Sequence, residues 1–144
     1  EIERFNRYGH KLSLLLLDID NFKEYNDNYG HLEGDKILVR LGRIIKSCLR
    51  KMDTAYRYGG EEFTIILPGT HGEEARTVAE RLRAAVATEH FTGGRNAGLK
   101  ITISIGVTQY RHEEKISSFV QRADQAMYRS KQAGRDKVSC IFDD

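Results

Sequence analysis

Apolar residues follow two different periods along this chain, and the two periods predict strands and helices in alternation. The run Leu12–Leu17, in which every residue except Ser13 is apolar, is typical of a central strand that is buried on both faces. Apolar residues at helical spacing predict three long helices, over His31–Lys51, Gly72–Glu89 and Ile116–Gln132. A shorter helix is predicted over residues 21–29.

The remaining elements are predicted as strands. A Gly59-Gly60 pair separates the β-like runs Thr54–Tyr58 and Phe63–Leu67, and tight hairpin turns favour glycine because they need positive φ angles. Apolar residues alternate in Leu99–Thr108, and a short last strand is predicted over Lys137–Phe142. This order predicts an α/β (α+β) fold in which helices cover a mixed central sheet.

The same pattern predicts how some elements end and pack. Asp20 or Asn21 is available to cap the first helix, and Gly106 is expected to mark a bulge or a close approach. Glu1–His10 is expected to form the last turns of a helix, and Thr92–Gly98 a loop. Five residues of the last helix are predicted to face the core: Ile116, Phe119, Val120, Ala123 and Met127.

Composition narrows the class of protein without identifying it. The chain has 144 residues, 40% of them hydrophobic and 31% charged, as expected for one globular domain with its own core. No apolar run is long enough to span a bilayer, and the net charge of +2 forms no basic stripe for nucleic acid. The two cysteines lack metal-ligand spacing and favour a reducing compartment, so we expect a cytoplasmic domain without membrane contact.

Acidic residues follow the first strand and the glycine pair. Strand side chains alternate between faces, so Asp18 and Asp20 are expected on one side and Ile19 on the other. The predicted sheet brings Glu61 and Glu62 beside them. Four acids at one place repel each other unless cations neutralise them, and oxygen ligands without His or Cys favour Mg²⁺ or Mn²⁺ over zinc. The alternative is a set of separate acids on a solvated surface.

Four stretches of the chain carry a more specific signal, namely LLLLDIDNFKEYNDNYGHLEGD (14–35), RYGGEEF (57–63), ISIGV (103–107) and ADQAMYRSKQAGRDKV (123–138). Together they resemble the GGDEF family of bacterial diguanylate cyclases, in its GGEEF variant. The family's opening helix is absent, so residues 1–144 are expected to be a single catalytic domain excised from a longer sensory protein. The resemblance implies a palm-like, ferredoxin-related fold, as in nucleotidyl cyclases. It also implies condensation of two GTP into cyclic di-GMP and two pyrophosphates.

The resemblance implies a metal site and catalytic residues. Metal ions are expected on the Asp18 carboxylate, the Ile19 backbone carbonyl and Glu61. Glu62 is expected near the second metal or the attacking 3′-hydroxyl, where a carboxylate can help to deprotonate it. Lys23 is also expected to be a catalytic residue.

Further residues are implied in binding GTP. Asn26 and Asp35 match the family's guanine readers, since a carboxylate can accept from guanine N1–H and N2–H₂ together, although helix capping is the alternative for both. The triphosphate is expected on backbone N–H groups at a helix start and on a basic pair at the end of the last helix. The residues are Phe22 and Lys23 for the helix start, Lys131 and Arg135 for the basic pair, and Gly59 and Gly60 for the turn that the ligand approaches.

A second site is implied upstream of the turn. Arg50 and Asp53 match the family's RxxD inhibitory motif, where cyclic di-GMP binds as a stacked dimer, and Arg81 is a further candidate for this site. One domain holds one GTP, so catalysis is expected to need a homodimer with two-fold symmetry. Three alternatives stay open: an effector that binds cyclic di-GMP or GTP without turnover, a structural dimerisation domain, and a cyclase with a mixed adenine–guanine product.

Overall fold

A computed structural model describes residues 11–57, 59–89, 91 and 100–142 of the chain, and the elements in this part follow the predicted order. The strands are β1 (Leu12–Ile19), β2 (Thr54–Arg57), β3 (Glu62–Pro68), β4 (Ile103–Gln109) and β5 (Val138–Cys140). The helices are α1 (Phe22–Tyr29), α2 (His31–Cys48), α3 (Gly72–Thr88) and α4 (Ile116–Gln132). The predictions for residues 1–10, 92–98 and Tyr58 lie outside the described residues.

The strands form one five-stranded sheet in the order β2-β3-β1-β4-β5. Strand β5 runs parallel to β4, and the other neighbouring strands are antiparallel, so the predicted mixed sheet is confirmed. Strand β1 lies at the centre, as its almost entirely apolar run predicts. Its register places Asp18 opposite Glu62 of β3 on one side and opposite Ser104 of β4 on the other.

Helices cover the two faces of the sheet unequally. Leu15, Leu17 and Ile19 point into a large core that α1, α2 and α3 share with the sheet. Leu12 and Leu14 point to the opposite face, where they join Phe119 of α4 in a smaller cluster. Strand alternation places Asp18 on this second face, the face that α4 covers.

Glycine allows α4 to lie directly on the sheet. A Cβ atom at Gly106 would stand 2.2 Å from the Ala123 carbonyl oxygen and 2.2 Å from the Met127 nitrogen, so the predicted close approach is confirmed. The prediction that Ile116 and Val120 face the core is wrong, since they are 59% and 41% exposed. Val120 lies at the border of the buried stripe, and Ile116 is the first residue of the helix, where the packing ends.

The bounds of several elements also differ from the prediction. Helix α2 ends at Cys48 instead of Lys51, because the following Leu49 takes an extended conformation. Strand β4 begins at Ile103, after three described residues, Lys100, Ile101 and Thr102, that belong to no strand. No helix in the described part of the chain is both long and apolar enough to cross a membrane.

Candidate active site

Asp18 is the buried acid at the end of the central strand. Its side chain is 8% exposed, and the Lys131 ammonium of α4 donates a hydrogen bond to its Oδ2. The other oxygen, Oδ1, is buried and has no hydrogen-bond partner among the described residues. Burial raises the pKa of the Asp18 carboxyl, the hydrogen bond from Lys131 lowers it, and the charge of Glu61 raises it again. Asp18 therefore offers one unsatisfied carboxylate oxygen to a cation.

The glycine turn brings two further acids to the same end of β1. Gly59 and Gly60 have φ angles of 95° and 52°, so the predicted need for positive φ is confirmed. The Glu62 amide donates to the Gly59 carbonyl at 3.1 Å, and the Ile19 amide donates to the Glu61 carbonyl at 3.4 Å. Burial raises the pKa of the Glu62 carboxyl, and the neighbouring charges of Asp18 and Asp124 raise it further.

Asp20 lies near Asp18, but its carboxylate is held by protein donors. Asp18 pairs with Ser104 across β1 and β4, and the Ser104 hydroxyl reaches the next acid, so Asp20 lies on the same side of the sheet as strand alternation predicts. Its Oδ1 accepts a hydrogen bond from Ser104 Oγ at 2.6 Å. Its Oδ2 accepts from Thr102 Oγ1 at 2.7 Å and from the Asp136 amide at 2.9 Å. Both oxygens of Asp20 are thus occupied by protein donors.

The candidate metal ligands are the predicted groups other than Asp20. Within the described residues, no three acidic, histidine or cysteine side chains stand together as a ready-made metal cage. The predicted ligand set includes only two such side chains, Asp18 and Glu61, and takes its third oxygen from the Ile19 backbone. This set is oxygen-only and contains the unpartnered Asp18 Oδ1, which fits a hard divalent cation. The set stays a prediction.

Helix α1 begins directly after these acids. Asn21 occupies the N-cap position with a φ of 57° and makes no capping hydrogen bond, and the Asp20 carboxylate is engaged elsewhere, so the predicted side-chain cap is wrong. The backbone amides of Phe22 and Lys23 lie in the first turn, where an α-helix has no internal acceptor for its N–H groups. This helix start can bind an anion.

The basic pair does not lie on one helix. Helix α4 ends at Gln132, so Lys131 is in its last turn, whereas Arg135 is in the turn that follows and has a φ of 65°. The prediction that both stand at the end of the helix is therefore wrong for Arg135. The reason is Gly134, whose φ of 117° turns the chain before another helical turn can form.

The two candidate guanine readers are brought together by a glycine. A Cβ atom at Gly34 of α2 would stand 1.9 Å from Asn26 Oδ1, so only glycine lets the Asn26 side chain of α1 lie against α2. That oxygen is buried and without a hydrogen-bond partner among the described residues. Asp35 follows Gly34 and is exposed in the second turn of α2. Neither candidate caps a helix, because the N-cap positions are Asn21 and Gly30.

Arg50 and Asp53 bind each other in the turn after α2. The Arg50 amide, Nε and Nη2 all donate to the Asp53 carboxylate, and Nη2 also donates to the Pro68 carbonyl and Thr70 Oγ1. The Arg50 side chain is 50% exposed, whereas that of Asp53 is 2% exposed. The hydrogen bond with Asp53 raises the pKa of Arg50, and the pair borders a groove of about 570 Å³. Arg81 of α3 donates to the Cys48 carbonyl at 3.2 Å, two residues from Arg50.

Sequence reasoning missed the residues that support the site. Asp20 is held by residues more than 80 positions away in the sequence, namely Thr102, Ser104 and Asp136. No local sequence pattern predicts such contacts. Gly34 could not be singled out either, because Gly42 lies in the same helical pattern and a Cβ atom there would meet nothing within 4 Å.

Comparison with known proteins identifies relatives of this chain. A family model described as "Diguanylate cyclase, GGDEF domain" matches residues 1–137. Diguanylate cyclase A of Treponema denticola is 48% identical over 139 residues, which cover 93% of this chain and 37% of the relative. Diguanylate cyclase DgcP of Pseudomonas aeruginosa is 46% identical over 140 residues, 96% of this chain and 20% of the relative. The chain thus spans about two fifths or less of the length of these relatives.

Solved structures have the same fold. The diguanylate cyclase SiaD of Pseudomonas aeruginosa, in complex with its activator SiaC, matches with a TM-score of 0.92 and 44% identity, over 99% of this chain and 54% of that one. The active GGEEF domain of a diguanylate cyclase from Vibrio cholerae matches with a TM-score of 0.91 and 34% identity, over 99% and 90%. The GGDEF domain of DgcB from Caulobacter crescentus, in complex with c-di-GMP, matches with a TM-score of 0.91 and 32% identity, over 96% of this chain and 82% of that one.

Proposed function

The chain belongs to the GGDEF domain family of diguanylate cyclases, and we propose that it condenses two GTP molecules into cyclic di-GMP and two pyrophosphates. One observation carries this proposal for the residues of this chain. The buried Asp18 stands opposite Glu62 in the sheet, holds Lys131 with one oxygen and has a second oxygen without a partner. A fold gains nothing from such an unsatisfied buried carboxylate oxygen, whereas a site that receives a cation with its substrate needs it.

Asp18, the Ile19 carbonyl and Glu61 would hold the metal, for which oxygen ligands favour Mg²⁺ or Mn²⁺. When bound, such an ion neutralises charge on the phosphate oxygens and lowers the pKa of the attacking hydroxyl. The Asp18–Lys131 hydrogen bond keeps the free Asp18 oxygen in place for it.

The remaining groups bind the substrate and move a proton. The amides of Phe22 and Lys23 at the start of α1, with Lys131 and Arg135, bind the triphosphate, and Gly59 and Gly60 let it approach the turn. Asn26 and Asp35 bind guanine. The Glu62 carboxylate accepts the proton of the 3′-hydroxyl, and its raised pKa makes it a better base than an ordinary glutamate. One chain supplies one set of these groups, so two chains face each other in a homodimer.

Product inhibition is the second part of the proposal. The exposed Arg50 guanidinium binds guanine N7 and O6 of cyclic di-GMP, and the buried Asp53 side chain fixes its orientation through two hydrogen bonds. Arg81 reaches the same end of α2 and adds a second cation.

Mass spectrometry of the products formed from GTP and Mg²⁺ tests the reaction, with Glu61→Gln as the decisive variant. We expect cyclic di-GMP from the wild type and at least about a hundredfold less from Glu61→Gln, because a metal ligand loses its charge while its shape is kept. Glu73→Gln is the matched control, since Glu73 is exposed on α3 and bonded to Arg76.

Equal rates in the two glutamine variants would remove Glu61 from the site. A wild type that binds GTP or cyclic di-GMP but forms no product would instead support the alternative, a non-catalytic effector domain.

A further inference from the structure

Asp20 ties three separate parts of the chain together at the edge of the candidate site. The residue is 7% exposed, and its carboxylate accepts three hydrogen bonds from protein donors. Two come from the hydroxyl groups of Thr102 and Ser104, which belong to β4 and the residues before it. The third comes from the backbone amide of Asp136, in the turn after α4.

That turn has an unusual backbone. Gly134, Arg135 and Asp136 have consecutive φ angles of 117°, 65° and 50°. Two successive non-glycine residues in the left-handed region are unfavourable by themselves, so the surrounding structure must hold them there. The Gly134 and Arg135 amides donate to the carbonyls of Lys131 and Ser130 at the end of α4. Two further contacts hold Asp136 itself: Asp20 accepts from its amide, and Arg83 Nη1 of α3 donates to its Oδ1 at 2.8 Å.

The hydrogen bond from the Asp136 amide to Asp20 lies next to the start of α1 in the candidate site. Asp20 is followed by Asn21 and then by the start of α1, whose first amides have no side-chain cap. By holding the Asp136 amide, the same carboxylate brings the backbone of the preceding residue, Arg135, close to this helix start. An exposed cationic side chain is thereby attached near the first amides of α1, and both kinds of group favour a polyanion.

We propose that Asp20 is a positioning residue for triphosphate binding, which it controls by clamping the 134–136 turn so that Arg135 flanks the start of α1. The inference rests on the proposed function, because it takes the polyanion to be the triphosphate of GTP. It assigns Asp20 no part in metal binding, since both of its oxygens already have protein donors.

A double-mutant cycle tests this role through binding alone. The ligands are 3′-deoxy-GTP, which lacks the attacking hydroxyl, and GMP, which lacks the β- and γ-phosphates. We expect Asp20→Ala to weaken 3′-deoxy-GTP binding about tenfold, as the loss of one charge-assisted hydrogen bond does, and to leave GMP binding unchanged. In an Arg135→Ala background, the same substitution should add almost nothing, because its effect passes through Arg135.

A conservative variant separates positioning from metal binding. In Asp20→Asn, the amide oxygen can still accept from Thr102 and Asp136, while the amide nitrogen donates to the Ser104 hydroxyl. This variant should therefore recover most of the affinity for 3′-deoxy-GTP and keep the wild-type Mg²⁺ dependence of binding. A metal ligand would respond differently, since removal of its charge would shift that dependence.

Several results would overturn the inference. Additive effects of Asp20→Ala and Arg135→Ala, equal weakening of GMP and 3′-deoxy-GTP, or a shifted Mg²⁺ dependence in Asp20→Asn would each do so. If Asp20→Ala does not fold, Arg83→Ala removes the other contact that holds Asp136 and takes its place in the cycle. A wild type that binds 3′-deoxy-GTP but makes no cyclic di-GMP would refute the proposed reaction and leave this inference standing, whereas one that binds no nucleotide would refute both.

Discussion

Replacement of Gly34 by alanine should separate nucleotide binding from stability. Gly34 lies in α2 where the Asn26 side chain of α1 rests against the helix backbone. A Cβ atom there would stand 1.9 Å from Asn26 Oδ1, 2.9 Å from Asn26 Cγ and 3.1 Å from Phe22 Cζ. The clash is mainly with the end of a flexible side chain, so Asn26 will move and the helices will stay.

The size of the effect follows from these distances. Ordinary contact with a Cβ begins at 3.4 Å, so Asn26 Oδ1 must shift by about 1.5 Å, enough to break a hydrogen bond of normal length. Loss of one hydrogen bond in a buried site costs about 1–3 kcal/mol, which corresponds to an affinity for GTP that is weaker by roughly fivefold to 140-fold. Alanine is favoured over glycine inside a helix by about 1 kcal/mol, and this gain offsets the rearrangement, so stability should change little.

Gly42→Ala is the matched control. Gly42 lies in the same helix, and a Cβ atom there meets nothing within 4 Å. We expect this variant to gain about 1 kcal/mol in urea denaturation and to keep wild-type affinity for GTP. Calorimetric titration with 3′-deoxy-GTP compares the two. Equal affinities in the two alanine variants would refute the assignment of Asn26 to the nucleotide site, and a large loss of stability in Gly34→Ala would show that Asn26 cannot move.

Three further substitutions test the other parts of the site. Asp35→Ser should lower the preference for GTP over ATP about tenfold in competition assays, because a carboxylate pairs with two guanine N–H groups; an unchanged preference would exclude Asp35 from base reading. Arg50→Ala should weaken cyclic di-GMP binding in calorimetry and relieve inhibition late in the time course, with initial turnover kept; equal product affinity would eliminate this second site. Asp18→Asn should abolish turnover and raise the melting temperature in metal-free buffer at neutral pH, because burial raises the pKa of Asp18 and makes its charge unfavourable in the fold. The unfavourable effect of the Asp18 charge is absent below the ordinary aspartate pKa and fully present above the raised pKa. The gain in melting temperature of Asp18→Asn should therefore grow with pH between these two values. A melting temperature below that of the wild type at neutral pH would contradict this prediction.

The sequence by itself determined the order of the elements and most of their packing faces. The run Leu12–Leu17 can be buried on both sides only at the centre of a sheet, and β1 lies there between β3 and β4. The pair Gly59-Gly60 predicted a turn with positive φ angles, which disfavour side chains. Gly106 predicted a close approach, which the backbone of α4 makes. Asp18 and Glu62 could be expected near each other because the hairpin was predicted beside the end of the first strand, but their direct pairing is a finding of the structure.

Tertiary structure alone decided which polar groups are satisfied. Asp18 and Asp20 are two residues apart and chemically identical, yet one keeps an unpartnered oxygen while the other is held by three donors from distant parts of the chain. Arg135 likewise follows helix α4 with helical spacing from Lys131, but the fold turns its backbone left-handed and ties its neighbour to Asp20. Periodicity indicates only which face of an element is apolar. The donors that reach a given carboxylate depend on segments that the whole sheet brings together, so no local pattern of residues can predict them.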